Sequence, residues 1–277
     1  ALPEVKWKIA PALSAGCTIV LKPAPQTPLS VLRFARLALE AGIPEGVINI
    51  VTGSGSAVGE MLVNHRDIAM ISFTGSTSVG RAIAVQAAGQ FKKYSLELGG
   101  KSPVILMEDA DIDASAHAAA WAIFGNHGQN CCAGSRLYVH RSIHDAVIER
   151  VAQIANEIEL SAPLRPGAVM GPVISRAHRE RVSDYIEAGV AQGAKLVAGG
   201  RNPEHDGAYM RPTVLAGAES EMTPVQDEIF GPVLMAAAFD TEDEVLSLAN
   251  DSRFGLGASV FTNDAERIHW MVERLEA

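Results

Sequence analysis

The chain has 277 residues, 48% of them hydrophobic and 20% charged, with three cysteines and a formal net charge of −9. Its length supports one large core or two smaller ones, and its cysteines are too few for a disulfide framework. The acidic balance argues against nonspecific binding to nucleic acid or anionic membranes, and no apolar run is long enough to span a bilayer.

"CTIVLKP" (Cys17–Pro23) reads as a buried strand, with Cys17 in the core. In "TPLSVLRFARLALEAG", Thr27 is a capping candidate, Pro28 suits a first helical turn and Gly42 suits the stop. Strand "VINIVTG", helix "SAVGEMLVNH", strand "IAMISFTG", helix "STSVGRAIAVQAAG" and strand "KYSLELGG" follow. After "KSPVILM", helix "DIDASAHAAAWAIFGNHG" leads to Cys131 and Cys132, then to strand "SRLYVH". "SIHDAVIERVAQIANEI", opened by Ser142, and "PVISRAHRERVSDYIEAGVAQG" read as helices. "KLVAGG", "YMRPTVL", "PVLMAAAFD" and "LGASVFT" read as strands. "TEDEVLSLANDS" is a helix capped by Thr241, and "DAERIHWMVERLEA" a helix expected to run to the end of the chain. The alternation predicts an α/β fold with doubly wound, mostly parallel sheets, and "GGK" near Gly99–Lys101 marks a domain change.

Three patterns carry candidate chemistry. "FTGSTSVG" (Phe73–Gly80) places Gly75, Ser76 and Gly80 between a strand and a helix N-terminus, where free N–H groups and the dipole suit a phosphate; an ordinary capped helix is the alternative. Neither the Gly-x-Gly-x-x-Gly fingerprint nor a P-loop is present. Glu97 in "LELGGKSP" lies in an apolar strand, where desolvation would raise its pKa toward that of a general base; a strand-end ion pair is the alternative. Cys131 and Cys132 occupy a loop of small residues whose N–H groups could support a thiol nucleophile. As neighbours they are expected to face different surroundings, with packing the role of Cys132. His140 and His144 read as two solvated histidines rather than metal ligands, and His127 as a loop histidine bonded to backbone. Arg176–Val182 reads as a solvated helix face. No metal site is expected.

In order, "WKIAPALSAGCTIVLKPAPQTP", "FTGSTSVG", "LELGGKSP", "GQNCCAGSR", "EIFGPV" and "FGLGASVFT" resemble the aldehyde dehydrogenase superfamily, in its hydrolytic NAD(P)-dependent branch. The resemblance implies part of a Rossmann-like cofactor domain at residues 1–99 and an α/β catalytic domain at 100–277. It implies Cys131 as the nucleophile, its N–H as one oxyanion donor, Glu97 as the base that hydrolyses the thioester, and Lys8 as a lysine linked to proton traffic. It places Lys22 at the adenosine ribose, Gly75, Ser76, Gly80 and Leu98 along the cofactor, and Glu228 and Phe230 at the nicotinamide ribose and ring. The implied cofactor is NAD or NADP. Pro25 stands where many NAD-preferring members carry Glu, which removes a barrier to NADP. The implied partner is a small aldehyde, in a cytoplasmic homodimer or homotetramer. The motifs also imply an internal fragment lacking both termini, including an oxyanion-hole Asn, and therefore expected to be nearly inactive alone. The alternatives are a CoA-acylating member and a non-catalytic homologue.

Overall fold

The computed structural model describes residues 2–200 and 207–277. Internal contacts divide the chain into Ala1–Leu98 and Gly99–Ala277. The first unit runs α1 (Leu2–Ser14), β1 (Ile19–Leu21), α2 (Leu29–Glu40), β2 (Ile48–Ile50), a wide helical turn Gly55–Gly59 that leads into α3 (Glu60–Asn64), β3 (Met70–Thr74), α4 (Thr77–Ala88) and β4 (Lys93–Glu97). β1 pairs with β2 and β3 with β4, both parallel. The parallel pairing is as expected, but it forms two separate ladders among the described residues rather than one sheet. Val5, Ile9 and Val31 form a small core with Phe34, Ile19 and Ile50 around them.

Three local expectations fail here. β1 is three residues long, is paired on one side only and leaves Val20 exposed, so it is not a buried strand. Cys17 is exposed because it lies in the turn after α1, its N–H donating to the Ala12 carbonyl, ahead of the paired strand. Pro28, not Thr27, occupies the N-cap of α2; proline has no side-chain acceptor to offer the first-turn N–H groups, so the helix starts without a side-chain cap.

The second unit runs β5 (Pro103–Leu106), α5 (Ile112–Phe124), a tight turn Gly125–Gly128, β6 (Arg136–His140), α6 (His144–Glu157), α7 (Arg176–Ala191), β7 (Lys195–Ala198), β8 (Thr213–Ala216), α8 (Thr223–Gln226), β9 (Val233–Phe239), α9 (Glu242–Asn250), β10 (Ser259–Phe261) and α10 (Ala265–Val272). Its six strands lie in the order β10-β5-β6-β9-β8-β7. Only β7–β8 is antiparallel. β5, β6 and β9 are almost wholly buried, as the continuous apolar runs of β5 and β9 require of a sheet covered on both faces. Strand side chains alternate between faces. Leu234 and Ala236 of β9 join α5 and α6 in one core, whereas Val233 and Met235 join α7 in another. Ala237 and Phe239 complete a third with Val245 of α9 and Met271 of α10.

Thr241 caps α9 by accepting the Glu244 N–H at 3.2 Å, as expected. α6 begins after Ile143 without a side-chain cap, because the Ser142 hydroxyl is engaged by His140 Nδ1 at 2.9 Å. α10 ends at Val272 in a turn, short of the chain end, with Arg274 and Leu275 N–H both bonded to the Met271 carbonyl.

Candidate active site

The thiol loop is built by an abrupt end to α5. Asn126 and His127 adopt left-handed φ of 51° and 63°, and Gly128 follows at 66°. Asn tolerates this region because its short amide bonds locally. Here Asn126 Nδ2 donates to the Gln129 carbonyl at 2.8 Å. The turn is fastened to the segment after α6: the Gly171 N–H donates to His127 Nε2 at 2.7 Å, and the Ile174 N–H to Gln129 Oε1 at 2.9 Å. His127 is thus a backbone-bonded loop histidine. Gly128 is required twice over, since any Cβ there would also collide with the Gly231 carbonyl. Two further bonds, Ala133 N–H to the Asn130 carbonyl and Gly134 N–H to the Ala122 carbonyl, both 3.1 Å, return the chain to β6.

Cys131 is half-buried and Cys132 exposed. Their exposure differs, yet the turn brings both sulfurs within S–H···O reach of Asn130 Oδ1, at 3.8 Å and 3.5 Å. The exposure of Cys132 also removes the packing role expected of it. Asn130 is a site residue missed in the sequence, where an asparagine beside cysteines carries no distinctive signal. Burial, with Cys132 and Glu228 adding to it, raises the Cys131 pKa, while the main-chain N–H groups of Cys132 and Cys131 act the other way.

Beside this loop the Gly99–Gly100 pair is wedged between two polar groups. A Cβ on Gly99 would collide with the Glu228 carboxylate, and one on Gly100 with the Cys131 carbonyl. The Gly100 N–H donates to Glu228 Oε1 at 3.2 Å. Burial raises the Glu228 pKa, opposed by that N–H and by Arg181 and Lys101. Phe230 holds a strained φ of 58°. Its carbonyl lies 2.7 Å from His178 Nε2, their rings meet edge-on at 6.2 Å, and Arg181 donates to the Ile229 carbonyl at 3.2 Å. Arg176–Val182 is therefore not simply a solvated face. Val182 is fully buried, and His178 and Arg181 hold the loop that carries Glu228 and Phe230.

In the first unit, Ser76 caps α4: its Oγ accepts the Val79 N–H at 3.5 Å and lies 3.2 Å from Ser78 Oγ. The preceding N–H groups of Thr77 and Ser78 have no intrahelical acceptor by the geometry of a helix start. Gly75 extends the β3–β4 ladder through its N–H to the Glu97 carbonyl at 3.0 Å. Gly80 lets the helix close onto Leu98, whose side chain a Cβ would strike. Lys22 folds over the turn near Gly53, donating to the Pro23 carbonyl at 2.9 Å and the Gly53 carbonyl at 3.4 Å. Lys8 Nζ donates to Ser72 Oγ at 2.9 Å, joining α1 to β3. Glu97 is exposed rather than desolvated, because β4 alternates and presents Leu96, not Glu97, to its partly covered face.

His140 and His144 are half-buried and separately engaged, so they are not solvated as expected. His140 stacks edge-on to Phe239 at 5.5 Å, and His144 Nδ1 lies 2.9 Å from an Asp145 oxygen. Among the described residues no group of three or more His, Cys, Asp or Glu is placed to hold a metal ion. No described helix is long and apolar enough to cross a membrane.

The two units and this loop define a class: an α/β protein carrying a cysteine pair between a helix and a buried parallel strand. The chain belongs to the aldehyde dehydrogenase family, whose profile matches residues 3–277. It is 49% identical over 273 residues to the phenylacetaldehyde dehydrogenase of Pseudomonas fluorescens, covering 98% of this chain and 54% of that protein. It is 44% identical over 274 residues to a betaine aldehyde dehydrogenase of Sinorhizobium fredii, covering 98% and 56%. Its fold matches the NAD+ complex of an aldehyde dehydrogenase from Bacillus cereus with a TM-score of 0.97 at 45% identity, over 99% of this chain and 56% of that one. The chain spans about half the length of the curated relatives it matches.

Proposed function

We propose that the protein carrying this chain oxidises a small aldehyde to its carboxylic acid with NAD or NADP through a covalent intermediate on Cys131. The observation that supports it most is the Cys131 loop itself, a half-buried thiol served by main-chain N–H groups beside the Glu228 carboxylate.

Attack by Cys131 Sγ on the carbonyl carbon forms a thiohemiacetal whose oxygen takes a hydrogen bond from the Cys131 N–H. Glu228 and Phe230 would hold the nicotinamide, which would supply the acceptor for the hydride leaving that carbon. A thioester on Cys131 remains, and Glu97 removes a proton from the water that hydrolyses it, releasing acid and thiol. The Ser76-capped start of α4 fits a diphosphate, with Gly75, Gly80 and Leu98 along the cofactor. Lys22 serves the adenosine ribose, Glu228 the nicotinamide ribose, Phe230 the ring and Lys8 the proton path. The assembly is a homodimer or homotetramer, to be measured by light scattering.

The test is aldehyde-dependent NAD(P)H formation with product analysis, with and without CoA. Free acid formed without CoA supports the reading. An absolute need for CoA selects acyl transfer, and no turnover with any aldehyde of a broad panel selects a non-catalytic homologue.

A further inference from the structure

Chemistry on Cys131 leaves the adjacent Cys132 without a task. Cys132 is exposed, so it fills no core, while Cys131 is half-buried. A strand would send the two side chains to opposite faces. Here they are instead the central residues of a turn, closed by the Ala133 N–H donating to the Asn130 carbonyl at 3.1 Å. Both sulfurs converge on one atom, Asn130 Oδ1, which lies 3.8 Å from Cys131 Sγ and 3.5 Å from Cys132 Sγ. A thiol is a weak donor, so turning either side chain out of that contact and toward the other costs little.

The backbone sets the character of a bond between them. Neighbouring α-carbons are about 3.8 Å apart across a trans peptide. Ordinary disulfides join α-carbons roughly 4.4–6.8 Å apart. A bridge between these neighbours is therefore strained, and strained or exposed disulfides are the easily reduced ones. That suits a reversible switch and not a structural staple.

We propose that Cys132 is a redox-sensing residue: a hydroperoxide converts the pair into a Cys131–Cys132 disulfide, which withdraws Cys131 from chemistry until a dithiol reduces it. The oxidant meets the exposed thiol first. Cys132 Sγ attacks the peroxide; an S–O bond forms, the O–O bond breaks, and the sulfur becomes a sulfenic acid as the peroxide is reduced to an alcohol or water. Cys131 Sγ then attacks Cys132 Sγ; the S–S bond forms, the S–O bond breaks, and hydroxide leaves as water with the Cys131 thiol proton. The loss of turnover rests on the reading of Cys131 as the nucleophile, whereas the bond itself does not.

The experiment treats the protein that carries this chain with hydrogen peroxide, follows aldehyde-dependent NAD reduction before and after dithiothreitol, and maps the cysteines by mass spectrometry after alkylation of free thiols. Wild type is expected to lose turnover by roughly tenfold or more, to recover most of it with dithiothreitol, and to yield an unalkylated peptide, two hydrogens lighter, that holds both cysteines. Cys132→Ala, or Cys132→Ser if the alanine variant does not fold, is expected to show no reversible loss. Absence of the lighter peptide in oxidised wild type overturns the proposal. An equal, reversible loss in the Cys132 variant does the same. The lighter peptide with turnover undiminished overturns the nucleophile reading, and the switch with it, while leaving the bond in place.

Discussion

The α-carbon of Gly100 rests so close to the Cys131 carbonyl oxygen that no side chain fits between them. The other face of the same glycine pair receives the Glu228 carboxylate. The thiol loop and the Glu228 loop are thus held in register by two residues without side chains.

Gly100→Ala tests that register. The added methyl must displace the Cys131 carbonyl, and it crowds Leu256 as well. The expected cost is about 1–3 kcal/mol of stability from overpacking and about 10²-fold in kcat from misplacement of the thiol. Chemical denaturation and steady-state kinetics check both, and wild-type kcat in a folded variant contradicts the account.

The two cysteines separate by mutation. Cys131→Ala is expected to lower turnover by more than about 10³-fold, as loss of a nucleophile does. Cys132→Ala removes an exposed thiol and leaves most activity. Equal losses would mean that the roles are misassigned.

The acidity of Cys131 gives a pH prediction. Its pKa is raised, so alkylation by iodoacetamide in a Cys132→Ala background accelerates toward a midpoint above that of an ordinary thiol. Glu228 contributes to that rise, so its replacement by Gln removes a negative charge and moves the midpoint down. Labelling at neutral pH then becomes faster. A slower reaction in E228Q would show that the charge does not reach the thiol.

Pro25 predicts tolerance of NADP. Pro25 is exposed and carries no carboxylate to repel a 2′-phosphate. The expected preference for NAD in kcat/KM is below about a hundredfold, roughly 2.7 kcal/mol. A larger ratio contradicts this.

Much of the fold was legible because its signals are local. Continuous apolar runs marked β5 and β9, and Thr241 with the acids after it marked the start of α9. The errors came where burial depends on distant chain. Strand periodicity alone does not say which face of β4 is covered, so Glu97 looked buried and is exposed. His178 and Arg181 looked like solvated charges because their acceptors, the Phe230 and Ile229 carbonyls, come from 52 and 48 residues downstream. Within the site, the cysteine pair announced itself by residue type. Asn130 did not, since its interest lies in what surrounds it.

The central claim, that Cys131 carries the acyl group, is tested most directly by trapping that group. In Glu97→Gln, hydrolysis slows and the thioester accumulates when aldehyde and NAD are added together. Mass spectrometry of digested protein is expected to find one acyl adduct, on Cys131, dependent on NAD and released by hydroxylamine. An adduct on Cys132, or no adduct in a variant that still reduces NAD, would contradict the account.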